Sequence, residues 1–125
     1  MKWVLGALLG CGLALSAQAD GHDRPALLCG GAEPFWSLEI GADAALFTAP
    51  DSADIMYDIP LSTPADGRVW PRALTLTAPQ DTAIAILRPA ACLDTLSDQT
   101  NGWTIDLLTQ RRSEAILLTG CCRAK

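Results

Sequence analysis

FWSLEI, residues 35–40, is the stretch whose reading decides the fold. Trp36, Leu38 and Ile40 recur at every second position, with Ser37 and Glu39 between them. A period of two places the three apolar side chains on one face of an extended segment and the polar pair on the other. The residues in front, Cys29-Gly30-Gly31-Ala32-Glu33-Pro34, bring a cysteine, a glycine pair and a Glu-Pro. They read as a shaped entry into the first clear strand.

The same signal repeats outward from there. Gly41-Ala42-Asp43 is a turn, residues 44–49 are a short strand, and Pro50-Asp51-Ser52 breaks it. Residues 55–59 form the next strand, ending at Pro60, and residues 62–67 read as a long turn. Val69-Trp70 leads through Pro71 into residues 72–77, with Leu74 and Leu76 on one face and Thr75 and Thr77 on the other. After Pro79-Gln80-Asp81, residues 82–87 are apolar enough for a buried strand. Residues 89–102 read as the longest irregular region, with room for one helical turn after Cys92 capped by Asp94 or Ser97. Residues 103–109 alternate again, residues 110–113 form a charged turn, and residues 114–119 are the last strand. Seven or eight short strands with turns about every ten residues predict an all-β domain, a small antiparallel barrel or sandwich. No window carries a long helical period, and no internal repeat is evident.

At 125 residues the chain has room for one domain. The first nineteen residues read as a secretory signal. Lys2 gives the positive start, residues 4–15 are uncharged and apolar, and Ala17-Gln18-Ala19 is a cleavage site ahead of Asp20. The run is too short to span a bilayer, which takes about 20 apolar residues. Leu8-Leu9-Gly10-Cys11 also resembles a lipobox, in which Cys11 would be lipidated. It leaves a very short apolar core, so cleavage after Ala19 is the preferred reading. The expected product, residues 20–125, is a single β domain of the periplasm or the cell exterior. Its formal charge moves from −5 for the whole chain to −6 once Lys2 is lost. With no basic stripe, nucleic acid and anionic membrane surfaces are poor partners.

Removing Cys11 leaves Cys29, Cys92, Cys121 and Cys122. An even count in an exported chain reads as two disulfides. Bridging the adjacent Cys121 and Cys122 would need a strained ring. Cys29 and Cys92 therefore each take one of them, in either of two ways. In an extended segment Cys121 and Cys122 point to opposite faces, so one bridge lies inward and the other outward or sideways. Metal or redox chemistry fits poorly: no C-x-x-C occurs, and the one histidine, His22, lies near the expected mature terminus.

No nucleophile has a credible base beside it, and no hydrolase, zinc-protease or phosphate-loop motif occurs. No catalytic residue, metal or cofactor is therefore assigned. A carboxylate pair, Glu33 with Asp94 or Asp98, is the one enzymatic alternative, a small hydrolase acting on glycosides. Trp36, Trp70 and Trp103 stand at strand edges, where core packing is the ordinary role of large aromatics.

Three segments together resemble a known family. They are Gly31-Ala32-Glu33-Pro34-Phe35-Trp36-Ser37-Leu38-Glu39-Ile40, Cys92-Leu93-Asp94-Thr95-Leu96-Ser97-Asp98, and Leu118-Thr119-Gly120-Cys121-Cys122. In that order they look like an uncharacterised family of bacterial exported proteins and lipoproteins, some occurring beside domains similar to META domains or lysozyme inhibitors. Leu96 stands where that family usually has Met, and Asn101-Gly102-Trp103 where Tyr-Pro is common. The resemblance implies a Cys92–Cys121 bridge, with Cys29–Cys122 as an added pair. It carries no activity across, and the lysozyme inhibitors' S-G-x-x-Y signature is absent. The resulting expectation is a non-enzymatic envelope or binding module, with a lysozyme-inhibitor-like protein as an alternative beside the small hydrolase. Its partner would be an envelope protein or a small ligand, met through Glu33, Phe35, Trp36, Asp98 and Trp103.

Overall fold

The computed structural model of the chain describes residues 24–94, 99–111 and 113–125, with Gly6, Gly10 and Gly12. The cleavage site expected after Ala19, Cys11, His22 and Asp98 lie outside the described residues. Eight strands follow one another: β1 (Leu27–Ala32), β2 (Phe35–Ile40), β3 (Ala44–Thr48), β4 (Ile55–Pro64), β5 (Arg72–Thr77), β6 (Asp81–Asp94), β7 (Gln99–Arg111) and β8 (Glu114–Ala124). Each pairs antiparallel with the next, and β8 returns to β1, so the sheet closes into a barrel. Closure gives every strand two neighbours, and β4 beyond Asp58 and β6 beyond Leu87 run past β3 and β5.

Alternation builds the core. Trp36, Leu38 and Ile40 of β2 point inward, as do Leu74 and Leu76 of β5 and Leu107 of β7. Large and small residues share the interior: Ala45, Ala83 and Ala85 leave room for Trp36, Phe47 and Tyr57. The Trp36 and Phe47 rings are stacked 6.3 Å apart at 18°. A buried hydroxyl in this wall, Thr109, donates to the Ile116 carbonyl at 3.2 Å.

The β1·β8 seam depends on missing side chains. A Cβ on Gly31 would sit 2.5 Å from Trp36 Nε1 and 2.9 Å from the Thr119 carbonyl oxygen. One on Gly120 would run into the Gly30 carbonyl. The Trp36 indole takes up the space these glycines leave. Beside it Cys29 and Cys122 face each other in register and form a bridge inside the core, with Cα atoms 4.0 Å apart. Cys92 is bonded to Cys121, with Cα atoms 5.5 Å apart, although β6 and β8 are not neighbours in the sheet. This is the pairing the family resemblance implied, and the adjacent cysteines do serve opposite faces.

Four expectations need correction. The fourth strand does not end at Pro60 but runs to Pro64. The register shifts between Asp58 and Leu61, so Pro60 falls at a bulge where its missing N–H costs no ladder bond. Residues 82–87 are half-buried rather than enclosed: Ala83, Ala85 and Leu87 face in, while Ile84 is exposed. Residues 89–94 and 99–102 are not irregular, since β6 and β7 continue through them. Pro89 again meets a register shift, between Pro89 and Cys92, which lets the strand pass the proline. The expected helical turn at residues 95–98 lies outside the described residues. The turn-rich stretch at residues 27–32, not read as a strand, is β1.

Antiparallel order sorts the connections. The β1–β2, β3–β4, β5–β6 and β7–β8 turns gather at one end, called the mouth below. The other three connections gather at the base, with the start of β1 and the end of β8. At the base, Arg24 and Arg72 are buried: Arg24 Nη2 donates to the Gly41 carbonyl at 2.9 Å, and Arg72 lies 5.8 Å over the Trp70 ring.

Candidate functional site

The mouth holds an open cavity of about 330 Å³, walled by Pro34, Phe35, Trp36, Phe47, Arg111 and Leu118. Each side chain arrives by the period-two rule. Trp36 and Phe47 are the outermost large inward residues of β2 and β3. Leu118 and Ile116 continue the inward row of β8. Phe35, on the outward face of β2, stands at the rim and is 57 % exposed. Asp51 closes the β3–β4 side in a left-handed turn at φ 61°, a conformation Asp tolerates better than most residues.

Arg111 enters by the same parity. Ile105, Leu107 and Thr109 of β7 face inward and are buried, and Arg111 is the next in that row. Its guanidinium lies 4.7 Å over the Phe47 ring, a cation–π contact. Its cross-strand neighbours are Asp81 on β6 and Glu114 on β8. Neither comes within ion-pair distance of it among the described residues, and the buried Nε has no hydrogen-bond acceptor.

Deeper in the barrel lies Tyr57, fully buried, whose hydroxyl has no hydrogen-bond partner. Burial pushes its pKa up, the charge of Asp81 adds to the rise, and that of Arg111 opposes it. The phenol therefore stays protonated across the physiological range.

Of the five residues expected to form one surface, the four described ones are not brought together. Glu33 is exposed in the β1–β2 turn at the mouth, and Phe35 stands beside it on the rim. Trp36 is 2 % exposed, so it is core and cavity wall rather than surface. Trp103 pairs with Cys122 in the basal half of β7 and points inward, half-buried. Asp98 lies outside the described residues. Glu33 and Asp94 are equally divided, since β1 ends at the mouth and β6 at the base. Sequence reading missed Arg111, placed in a charged turn, and Phe47, Tyr57 and Leu118. Counting by twos onward from Leu107 would have turned Arg111 inward.

Searches against protein-family models, curated proteins and solved structures find no match to this chain.

Proposed function

We propose that this chain is an exported, non-enzymatic binding barrel that takes a small, largely apolar ligand into its mouth. The observation that carries the reading is the cavity of about 330 Å³ floored by Trp36, Phe47 and Leu118. The interior of an eight-stranded barrel is either filled by side chains or just wide enough for one small ligand. Here an open cavity remains at the mouth. The volume lies within the range of small-molecule sites, about 300–1,000 Å³, and the lining is largely apolar with two charged side chains, Arg111 and Asp51, a make-up common in such sites. The compartment we propose is the periplasm or the cell exterior. Two disulfides are compatible with oxidising surroundings. The excess of acidic residues argues against a nucleic-acid partner.

The test is titration with N-phenyl-1-naphthylamine, a neutral dye that brightens in apolar surroundings. The folded protein should give saturable enhancement. Ala49→Trp, which fills the rim without entering the basal core, should weaken it about fivefold or more. A dye signal absent from the wild type, or unchanged in the variant, would remove the reading.

A further inference from the structure

The cavity of about 330 Å³ holds about eleven waters' worth of liquid, which suits a ligand of roughly ten to fifteen non-hydrogen atoms. Its lining splits into an apolar floor of Trp36, Phe47 and Leu118 and two charged side chains of opposite sign, Arg111 and Asp51. Arginine offers donors in a planar fork matched to carboxylate. In the described residues none of its guanidinium donors meets an acceptor, although Nε is buried. Arg24 and Arg72 share the buried Nε, and what sets Arg111 apart is its Nη groups: Arg24 Nη2 donates to the Gly41 carbonyl and Arg72 Nη1 to Ser62 Oγ. A buried donor without an acceptor costs free energy that a bound acceptor would return.

Three carboxylates stand at the same rim and set the opposing field. Asp51 lines the cavity, and Asp81 and Glu114 flank Arg111 in register. Asp51 and Glu114 are exposed, so water and salt screen them. Asp81 is half-buried, and its field at Tyr57 is opposed by that of Arg111. The guanidinium, held over Phe47 inside the rim, is the charge least screened from a ligand in the cup. It also occupies the Phe47 face that a ligand cation would need.

We infer that the mouth selects a small organic acid, with its apolar body on Trp36 and Leu118 and its carboxylate on the Arg111 fork. The inference rests on the binding-barrel reading and deepens it. Three probes with one carbon skeleton separate the alternatives: 4-phenylbutanoate, 4-phenylbutanamide and 4-phenylbutan-1-amine, each followed by calorimetry and by displacement of the neutral dye. The acid should bind tightest, with the amide about 10- to 100-fold weaker, as expected for loss of a charge-assisted hydrogen bond. The amine should bind no tighter than the amide. Arg111→Gln should bring the acid down to the amide's affinity and leave the amide within about twofold. Arg111→Lys, which keeps the charge and gives up the fork, should hold an intermediate affinity.

An amide or amine that binds as well as the acid overturns the inference while leaving the binding barrel in place. So does an acid affinity that ignores Arg111→Gln, or dye binding that none of the three probes displaces. Loss of dye and acid binding together in the wild type overturns both. If Arg111→Gln fails to fold, the order of the three probes on the wild type still decides.

Discussion

At the scale of single residues, the informative positions are those where polarity or size conflicts with place. Tyr57 is the chain's one tyrosine, so ultraviolet tyrosinate absorbance reports it alone. Its titration should have a midpoint above the ordinary value of 10.0, because burial disfavours the phenolate. Unfolding releases that penalty. Below pH 10 both states keep the proton and the group adds no pH dependence. From about pH 10 upward the unfolded chain loses its proton first, so stability falls with a slope that ends once the folded pKa is passed. Tyr57→Phe should abolish that slope and change neutral stability by no more than about 1 kcal/mol, since the hydroxyl has no partner to lose. Arg111→Gln should raise the Tyr57 midpoint further, because the guanidinium lowers it. A second pair of variants tests size. Gly120→Ala forces a methyl into the Gly30 carbonyl and should cost about 3 kcal/mol in urea unfolding. Gly102→Ala, with open space around its Cβ, should stay within about 0.5 kcal/mol.

At the scale of elements, the strands that were legible are those with a clean period of two: β2, β3, β5, β8 and the middle of β7. The inward residues of β2 and β5, Trp36, Leu38, Ile40, Leu74 and Leu76, are the ones alternation selected. β1 was hidden because Gly30-Gly31 reads as turn, whereas the glycines serve the close approach of β8 and Trp36. Pro60 and Pro89 were read as stops, and bulges carry the strands past both. The candidate site was less legible. Phe35 and Trp36 do wall the cavity, yet their partners come from β3, β7 and β8, and only closure of the barrel brings these together. The disulfides act at this same scale. Cys29–Cys122 spans 93 residues and Cys92–Cys121 spans 29, worth about 4.7 and 3.6 kcal/mol in the chain-entropy account. Replacing each pair with serines should therefore lower stability more for Cys29–Cys122, and burying two hydroxyls in the core adds to that difference. Equal losses in urea titration would mean that loop length does not set their contributions.

At the scale of the whole molecule, the barrel brings the start of β1 beside the end of β8. Leu27 pairs with Ala124, and the Lys125 N–H donates to the Ala26 carbonyl at 3.0 Å. A closed up-and-down sheet has no preferred starting strand, so the order of connection can change while every neighbour is kept. The β4–β5 turn is the place to reopen it: Asp66, Gly67 and Arg68 are exposed, and Gly67 has a free Cβ direction at φ 71°. A permutant beginning at Gly67, with Lys125 joined to Arg24 by four Gly/Ser residues, should keep the near-ultraviolet signature of the packed tryptophans. It should also bind the neutral dye, since the mouth lies at the other end from the cut. The permutation changes what the Cys29–Cys122 bridge does. In the native order it closes a 93-residue loop. In the permutant the same two sulfurs are separated by about 13 residues, and the chain-entropy account then gives about 3 kcal/mol. The serine pair at 29 and 122 should therefore cost roughly 1–2 kcal/mol less in the permutant than in the native order. A cost unchanged by permutation would mean that the bridge acts by packing inside the core, and not by restraining the unfolded chain.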